Sequence, residues 1–474
     1  MQERLRRLPY YRWLIFGVAV MGTFMAVLDS SIVNVALPLI GASLGVELPE
    51  VQWVVTAYLL VITILLPLFG KVGDLYGRRR VYLLGFVIFT IGSLLCGISY
   101  NIWILVVARI VQAVGASMLM ANAPAIVGVT FPGKERGRAL GMIGTVVALA
   151  SMVGPSFGGV LVGIFSWQSI FYINLPIGLC AYVAGYLILP IEEECQRGSF
   201  DVRGAILFAV GMTGLLLVLL KGQEWGWDSY LVNVMSGITV VLLGIFFWYE
   251  GEVENPMIDL SLFKCWPFLA ANVSGLLAFM ALFSNIILLP FYLHSILLLS
   301  PAEIGLAITP FPLLMAVIAP VSGYLSERTN SALLASAGLG IMMVGLFYLS
   351  TLTAQSVIWH VVIGQGIMGL GHGMFQSPNN NSVLSSVPKE KVGLASGMIA
   401  LMRNIGMVSG TAVTVSVFEW TRQLELTRSA FPSQAANISA FLTAYHDALI
   451  VGACFAGLGA LVSLSRTGHK PLKA

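Results

Sequence analysis

The stretch Gly70-Lys-Val-Gly-Asp-Leu-Tyr-Gly-Arg-Arg-Arg80 places Lys71, Asp74, Arg78, Arg79 and Arg80 between two long apolar runs. Such charges enter lipid only at high cost, so the stretch must lie at a membrane surface, where it reads as a hinge loop between two spans. Gly70, Gly73 and Gly77 remove side chains where the loop turns, so two helix ends can approach closely. Asp74 can then face the N-terminus of the next helix, whose free N–H groups favour a negative charge. The plainer alternative is a solvated positive loop of the kind any membrane protein carries.

Composition supports the membrane reading. The chain has 474 residues, 58% of them apolar and 10% charged, with mean hydropathy +0.89; soluble domains carry about 25% charged residues. The class is therefore an all-α polytopic membrane protein. Cys96, Cys180, Cys195, Cys265 and Cys454 are odd in number and scattered, which gives neither a disulfide framework nor a metal pattern. Arg4, Arg6, Arg7 and Arg12 before an apolar run imitate a signal peptide, but the run is too long and many follow, so it reads as a retained span.

Apolar runs of about 20 residues read as helices. Fourteen are expected, near 13–36, 51–70, 81–99, 101–130, 140–164, 168–190, 203–221, 229–249, 268–293, 302–325, 331–352, 357–384, 393–417 and 442–464. Charge tests this count, because Lys and Arg gather on the cytoplasmic side. With both termini cytoplasmic, all 25 fall inside except Lys221, Arg422 and Arg428 in outer segments and Arg109 and Arg403 within spans. Trp13, Trp53, Trp103, Trp167, Trp248, Trp266, Trp359 and Trp420 lie near span ends, as an interfacial belt requires.

An internal repeat organises the chain. Pro67-x-x-Gly70-x-x-x-Asp74 recurs as Pro320-x-x-Gly323-x-x-x-Glu327. Pro132-x4-Gly137-x-Ala139-x-Gly141-Met142-Ile143 recurs as Pro388-x4-Gly393-x-Ala395-x-Gly397-Met398-Ile399 at nearly the same offset. Both copies fall at the cytoplasmic side, so the repeats share one orientation. Two six-helix bundles follow, 1–190 and 261–474, with two inserted spans and acidic linkers at 191–260.

Asp29 is the one carboxylate placed inside a span and away from the interface, and it should face the bundle interior with a partner. Arg109 lies at nearly the same depth. The pair reads either as a proton-coupling site or as a permanent ion pair fixing span 1 against span 4. Gln112, one turn from Arg109, and Asn34 are candidates for a polar network or for plain packing bonds. Gly154-Pro155-x-x-Gly158-Gly159 suits a bend with close helix contact, or simply glycine-rich packing. Arg403 has no acid nearby in sequence; Gln376 and Asn379 to Asn381 are candidates to solvate it, as is a ligand. His372 is more often a packing residue than a titrating one. Candidate cavity residues are therefore Asn34, Gln112, His372, Gln376, Asn380 and Arg403, and no metal site is expected.

The run Leu28-Asp29-Ser30-Ser31-Ile32-Val33-Asn34 to Pro38, the stretch Gly70 to Arg80, Arg109-x-x-Gln112-x-x-Gly115-Ala116, the span 5 glycines and proline, Trp167 to Pro176, and Arg403-Asn404-Ile405-Gly406 together resemble the major facilitator superfamily. Within it they are similar to the fourteen-helix drug:proton antiporters, over essentially the whole chain. That resemblance implies gating by Gly70, Asp74, Gly77, Arg78 and Arg79, and proton coupling by Asp29 and Arg109. It also implies an antiporter signature at Gly154, Pro155, Gly158 and Gly159. Ala113 and Ala150 stand where the family usually has glycine.

The expected function is efflux of amphipathic organic compounds against inflowing protons, by rocking two bundles about a midplane cavity. The expectation includes no cofactor beyond the proton gradient, no nucleic acid, a monomer, and the cell membrane as location. A proton symporter or uniporter for a metabolite or lipid is the rival, and a non-transporting scaffold or receptor is the rival of another class. No enzyme is expected, since no nucleophile–base pair or phosphate loop is visible.

Overall fold

The computed structural model describes residues 10–46, 48–51, 53–131, 133–190, 200–253, 256, 258–299, 301–326, 328–388, 391–428 and 434–468. These residues form fourteen helices of 15 residues or more. The first half holds α1 (Tyr11–Leu44), α2 (Trp53–Tyr76), α3 (Arg78–Gly97), α4 (Ile102–Thr130), α5 (Gly133–Ile164) and α6 (Asn174–Ile188). The insert is α7 (Val202–Trp225) and α8 (Tyr230–Glu252). The second half holds α9 (Trp266–Ser295), α10 (Pro310–Ser326), α11 (Ser331–Ser350), α12 (Ile358–Ser385), α13 (Val392–Arg428) and α14 (Gln434–Leu464).

Among the described residues, twelve helical stretches are long and apolar enough to cross a membrane; α5 and α12, at 32 and 28 residues, fall outside that set. His360, Gln365 and His372, together with the Asn379-Asn380-Asn381 run, make α12 more polar than those twelve stretches. Six of the tryptophans expected at the interface, Trp13, Trp103, Trp248, Trp266, Trp359 and Trp420, are exposed. Trp167 is buried instead and donates to Ser43 Oγ at 3.1 Å.

Several helix starts are capped by their own sequence: Asn101 accepts from Trp103 N, Asp201 from Gly204 N, Ser229 from Val232 N and Asn330 from Ala332 N. Both ends of the chain's second half run longer than expected. Helix α13 continues to Arg428 and α14 starts at Gln434, and Thr421, beyond the apolar run of α13, donates to Asp447 of α14 at 3.2 Å.

The opening stretch is not a loop. Helix α2 runs through Lys71 and Asp74 to Tyr76, and α3 starts at Arg78, so Gly77, at φ 97°, is the whole turn. Only glycine adopts that backbone without strain. Gly70 and Gly73 serve neighbours rather than the turn. A Cβ on Gly70 would strike the Gly393 carbonyl of α13, and one on Gly73 would strike Asn122 of α4.

Between the halves, α2 packs along α13 and α5 along α10. The two repeated motifs meet there. A Cβ on Gly397 would come within 2.8 Å of Pro67 Cα, and one on Gly141 within 2.5 Å of the Ala319 carbonyl, next to Pro320. Each half thus presents a proline segment to a glycine of the other. The insert lies outside this seam: α7 packs on both α2 and α13, with Lys221 5.8 Å over the Trp53 ring.

Candidate functional site

The buried charge of the first bundle is a closed cluster. Asp29 and Arg109 are 1% and 0% exposed, and Arg109 Nη1 donates to Asp29 Oδ2 at 2.5 Å. Gln112 and Asn174 each donate to Asp29 Oδ1 at 2.8 Å, and Gln112 also donates to Ser93 Oγ at 2.8 Å. Arg109 further donates to Gln112 Oε1 at 2.6 Å and, through Nε, to the Val54 carbonyl at 3.1 Å. Its guanidinium lies 3.9 Å from the centre of the Tyr58 ring. One donor, Arg109 Nη2, has no partner. Helices α1, α2, α3, α4 and α6 are all tied to this one group, and such satisfaction is what permits charge in a dry interior.

Helix α5 sits against the outer part of α1. A Cβ on Gly154 would lie 2.5 Å from Ser31 Cβ, and one on Gly158 would lie 2.8 Å from Ile32 Cγ2. Asn34, Pro155 and Gly159 belong to helices, and their side chains lie outside the described set. Glu327, the repeat partner of Asp74, lies outside the described residues.

At the basic end, Asp74 does not cap the backbone of α3 and meets that helix only through the Arg78 side chain. Its Oδ1 accepts from Gly393 N at 3.1 Å and its Oδ2 from Leu394 N at 2.9 Å, so it caps α13 of the other half. Arg78 Nη2 holds Asp74 Oδ1 at 2.7 Å. Arg79 donates to the Tyr186 carbonyl of α6 at 2.8 Å and lies 5.4 Å over its ring. Arg136 of α5 makes the return crossing, donating to the Leu384 carbonyl near the C-terminus of α12 at 3.1 Å. Beside them Asp259 pairs with Lys391. Partial burial pushes the Asp259 carboxyl up, but hydrogen bonds from Lys391 and from Ser261 outweigh it and hold the group below its ordinary value.

Two small cavities lie between these layers. The larger, about 60 Å³, is lined by both halves, including Thr23, Ile143, Gln376, Asn380, Ser396 and Arg403. The smaller, about 10 Å³, lies within the second half and includes Asn272, Phe279, Gln376, Asn380 and Arg403. Pockets for drug-sized ligands measure about 300–1,000 Å³, so this conformation is closed around its centre. Two further bonds cross it: Asn404 Nδ2 to Thr63 Oγ1 at 3.0 Å, and Thr145 Oγ1 to the Ala316 carbonyl at 2.8 Å.

The expected cavity residues separate. Gln376, Asn380 and Arg403 line the cavities. Gln112 belongs to the Asp29 cluster. His372 is buried in an aromatic cage, with the rings of Phe279, Phe311 and Phe375 at 5.3, 6.0 and 6.3 Å and no partner at Nδ1. Asn379 lines the smaller cavity with Arg403 but has its amide engaged elsewhere: its oxygen accepts from Arg466 Nη1 at 3.1 Å and its nitrogen donates to the Ala271 carbonyl at 3.0 Å. Sequence reasoning missed Arg466, which looked like a tail charge but is 5% exposed.

The sequence profile of the Major Facilitator Superfamily matches residues 19–411 and, in a second match, 270–469. The chain belongs to this family. Major facilitator relatives include the riboflavin transporter RibZ of Clostridioides difficile, 38% identical over 97% of this chain and 99% of its own. The multidrug resistance protein Stp of Mycobacterium tuberculosis is 36% identical over 84% of this chain and 74% of its own. Among solved structures, the human organic anion transporter MFSD10 superposes with TM-score 0.66 at 15% identity, covering 95% of this chain and all of that one, which speaks to the fold alone. The chain is thus a multi-pass membrane transporter of the major facilitator fold that carries small molecules across the cell membrane, and not an enzyme.

Proposed function

We propose that the protein is a proton-coupled exporter of amphipathic organic compounds, working as a monomer by alternating access, with α5 and α12 counted as spans to give fourteen. The Asp29 cluster is the observation that carries this reading. A proton on Asp29 would remove the counter-charge of a fully buried guanidinium, and breaking such a pair costs about 3–5 kcal/mol. Protonation therefore favours another arrangement of α1 and α4, which is how a proton gradient can bias a conformational equilibrium. Relatives named for multidrug resistance and for export of tetracenomycin C support outward transport.

The test uses everted membrane vesicles, in which export appears as accumulation. Fluorescein uptake that collapses with a protonophore, together with substrate-induced alkalinisation of the acidified lumen, is expected. Uptake indifferent to the protonophore would sink the proton coupling. A second reading, import of a metabolite by symport or uniport, is favoured by the full-length similarity to a riboflavin transporter. It requires riboflavin to enter intact cells expressing the protein faster than control cells.

A further inference from the structure

The charge on the two central cavities has one sign. Arg403 lines both, and among the described residues no acidic side chain lines either. The nearest intramembrane acid of the sequence reading, Asp29, already holds Arg109 and is sealed at 1% exposure. Arg403 itself makes one weak contact, from Nε to Asn404 Oδ1 at 3.4 Å. A guanidinium carries five donors in a planar fork suited to carboxylates and other planar acceptors. Most of that fork is uncommitted.

The same lining holds oxygens without partners. Asn272 Oδ1, Gln376 Oε1 and Ser396 Oγ are buried and make no hydrogen bond. Asn272 and Gln376 border the smaller cavity, Gln376 and Ser396 the larger. Buried acceptors left unmade are costly, each by about 1–3 kcal/mol, and a ligand with N–H or O–H groups would relieve them. Phe279 and Phe375 supply flat apolar walls to the smaller cavity.

We propose that Arg403 is the recognition cation of the transport site, and that the substrate's polar end is an anion or a carbonyl-rich ring that also carries an N–H or O–H donor. This names the substrate class for the transport reading above and rests on it. A permanent dication would meet Arg403 and no counter-charge, and in a low-dielectric site that repulsion is large. Binding here also reaches the bundle interface. Asn404, the contact of Arg403, is the residue that donates to Thr63 of α2. A ligand that draws the guanidinium away frees Asn404 from one of its two partners at the seam.

The test measures binding to purified protein in detergent without any gradient, by fluorescence titration. Fluorescein and rhodamine 123 share a xanthene skeleton with opposite charge, ethidium and propidium share a phenanthridinium skeleton with one or two charges, and riboflavin is neutral with an imide. Fluorescein and riboflavin should bind at least about tenfold tighter than rhodamine 123, with propidium weakest. Arg403→Gln should weaken fluorescein by about tenfold and tighten rhodamine 123, because the repelling charge is gone; Arg403→Lys should restore part of the difference. Tighter binding of rhodamine 123 or propidium, a charge order unchanged in Arg403→Gln, or no binding of fluorescein overturns the proposal. If Arg403→Gln does not fold, the wild-type order and the Arg403→Lys titration decide. Loss of gradient-driven uptake with this order intact would count against export and not against the site.

Discussion

Gly397 of α13 stands against Pro67 of α2 with no room for a side chain between them, since a Cβ would approach the proline Cα to 2.8 Å. Gly141 of α5 stands in the same relation to Ala319 of α10, at 2.5 Å from its carbonyl. Because these neighbours are backbone, they cannot yield as a flexible side chain would. Gly397→Val or Gly141→Val should leave each bundle folded and destabilise the closed form by about 1–3 kcal/mol, the usual cost of overpacking. Labelling of cysteines introduced along the basic end of α2 should rise. Gly340→Val, at a glycine with nothing within 4 Å, is the control; an equal response there would refute the account.

Asp74→Asn removes a charged cap from another helix. It retains the shape but turns one oxygen into a donor facing Leu394 N, so about 1–2 kcal/mol of capping should vanish from the closed form alone. Labelling should then show a larger population open at the basic end, with unchanged expression and monodispersity. An unchanged labelling pattern reduces this stretch to a topology signal.

Asp29→Asn leaves Arg109 buried without its carboxylate. Thermal stability should fall, and proton-driven accumulation should be lost while binding of a fluorescent ligand persists. Arg109→Gln added to Asp29→Asn should recover part of the stability, because no lone charge remains. Proton-driven accumulation that survives Asp29→Asn would remove this residue from the coupling step.

The Asp259 pair gives a pH dependence. Its carboxyl is held below its ordinary value in the folded chain, so its contribution is fully present above the unfolded value and is lost as pH falls through the folded one. The contribution of this group to the melting temperature should stay constant between pH 8 and about pH 5 and should be lost below about pH 4. Comparing wild type with Asp259→Asn isolates it; a difference that vanishes already near pH 6 would contradict the assignment.

Much of this architecture was legible in the sequence because lipid imposes long apolar runs and sorts charge to one side. The match in depth between Asp29 and Arg109 was readable for the same reason: helical rise converts position into depth. The third dimension was not readable. Asp74 was expected at the next helix, and it caps one more than three hundred residues later, since sequence offers no signal for which helix end meets it. Both repeated motifs were visible, but not that each copy of one packs against a copy of the other. Arg466 carries no pattern that separates a buried cation from a tail charge, and Asn379 was assigned to Arg403 by proximity on one helix, although adjacent helical positions face different neighbours.

The Asp29–Arg109 contact also fixes how the first bundle responds to voltage. Moving one elementary charge through the membrane field is worth about 2.3 kcal/mol per 100 mV. A carboxylate and a guanidinium joined at 2.5 Å move together as a neutral unit, so tilting this bundle with the pair intact does almost no electrical work. Under the proposed coupling, a proton on Asp29 would leave the same tilt carrying a net positive charge, and the membrane potential would act on that half of the cycle alone.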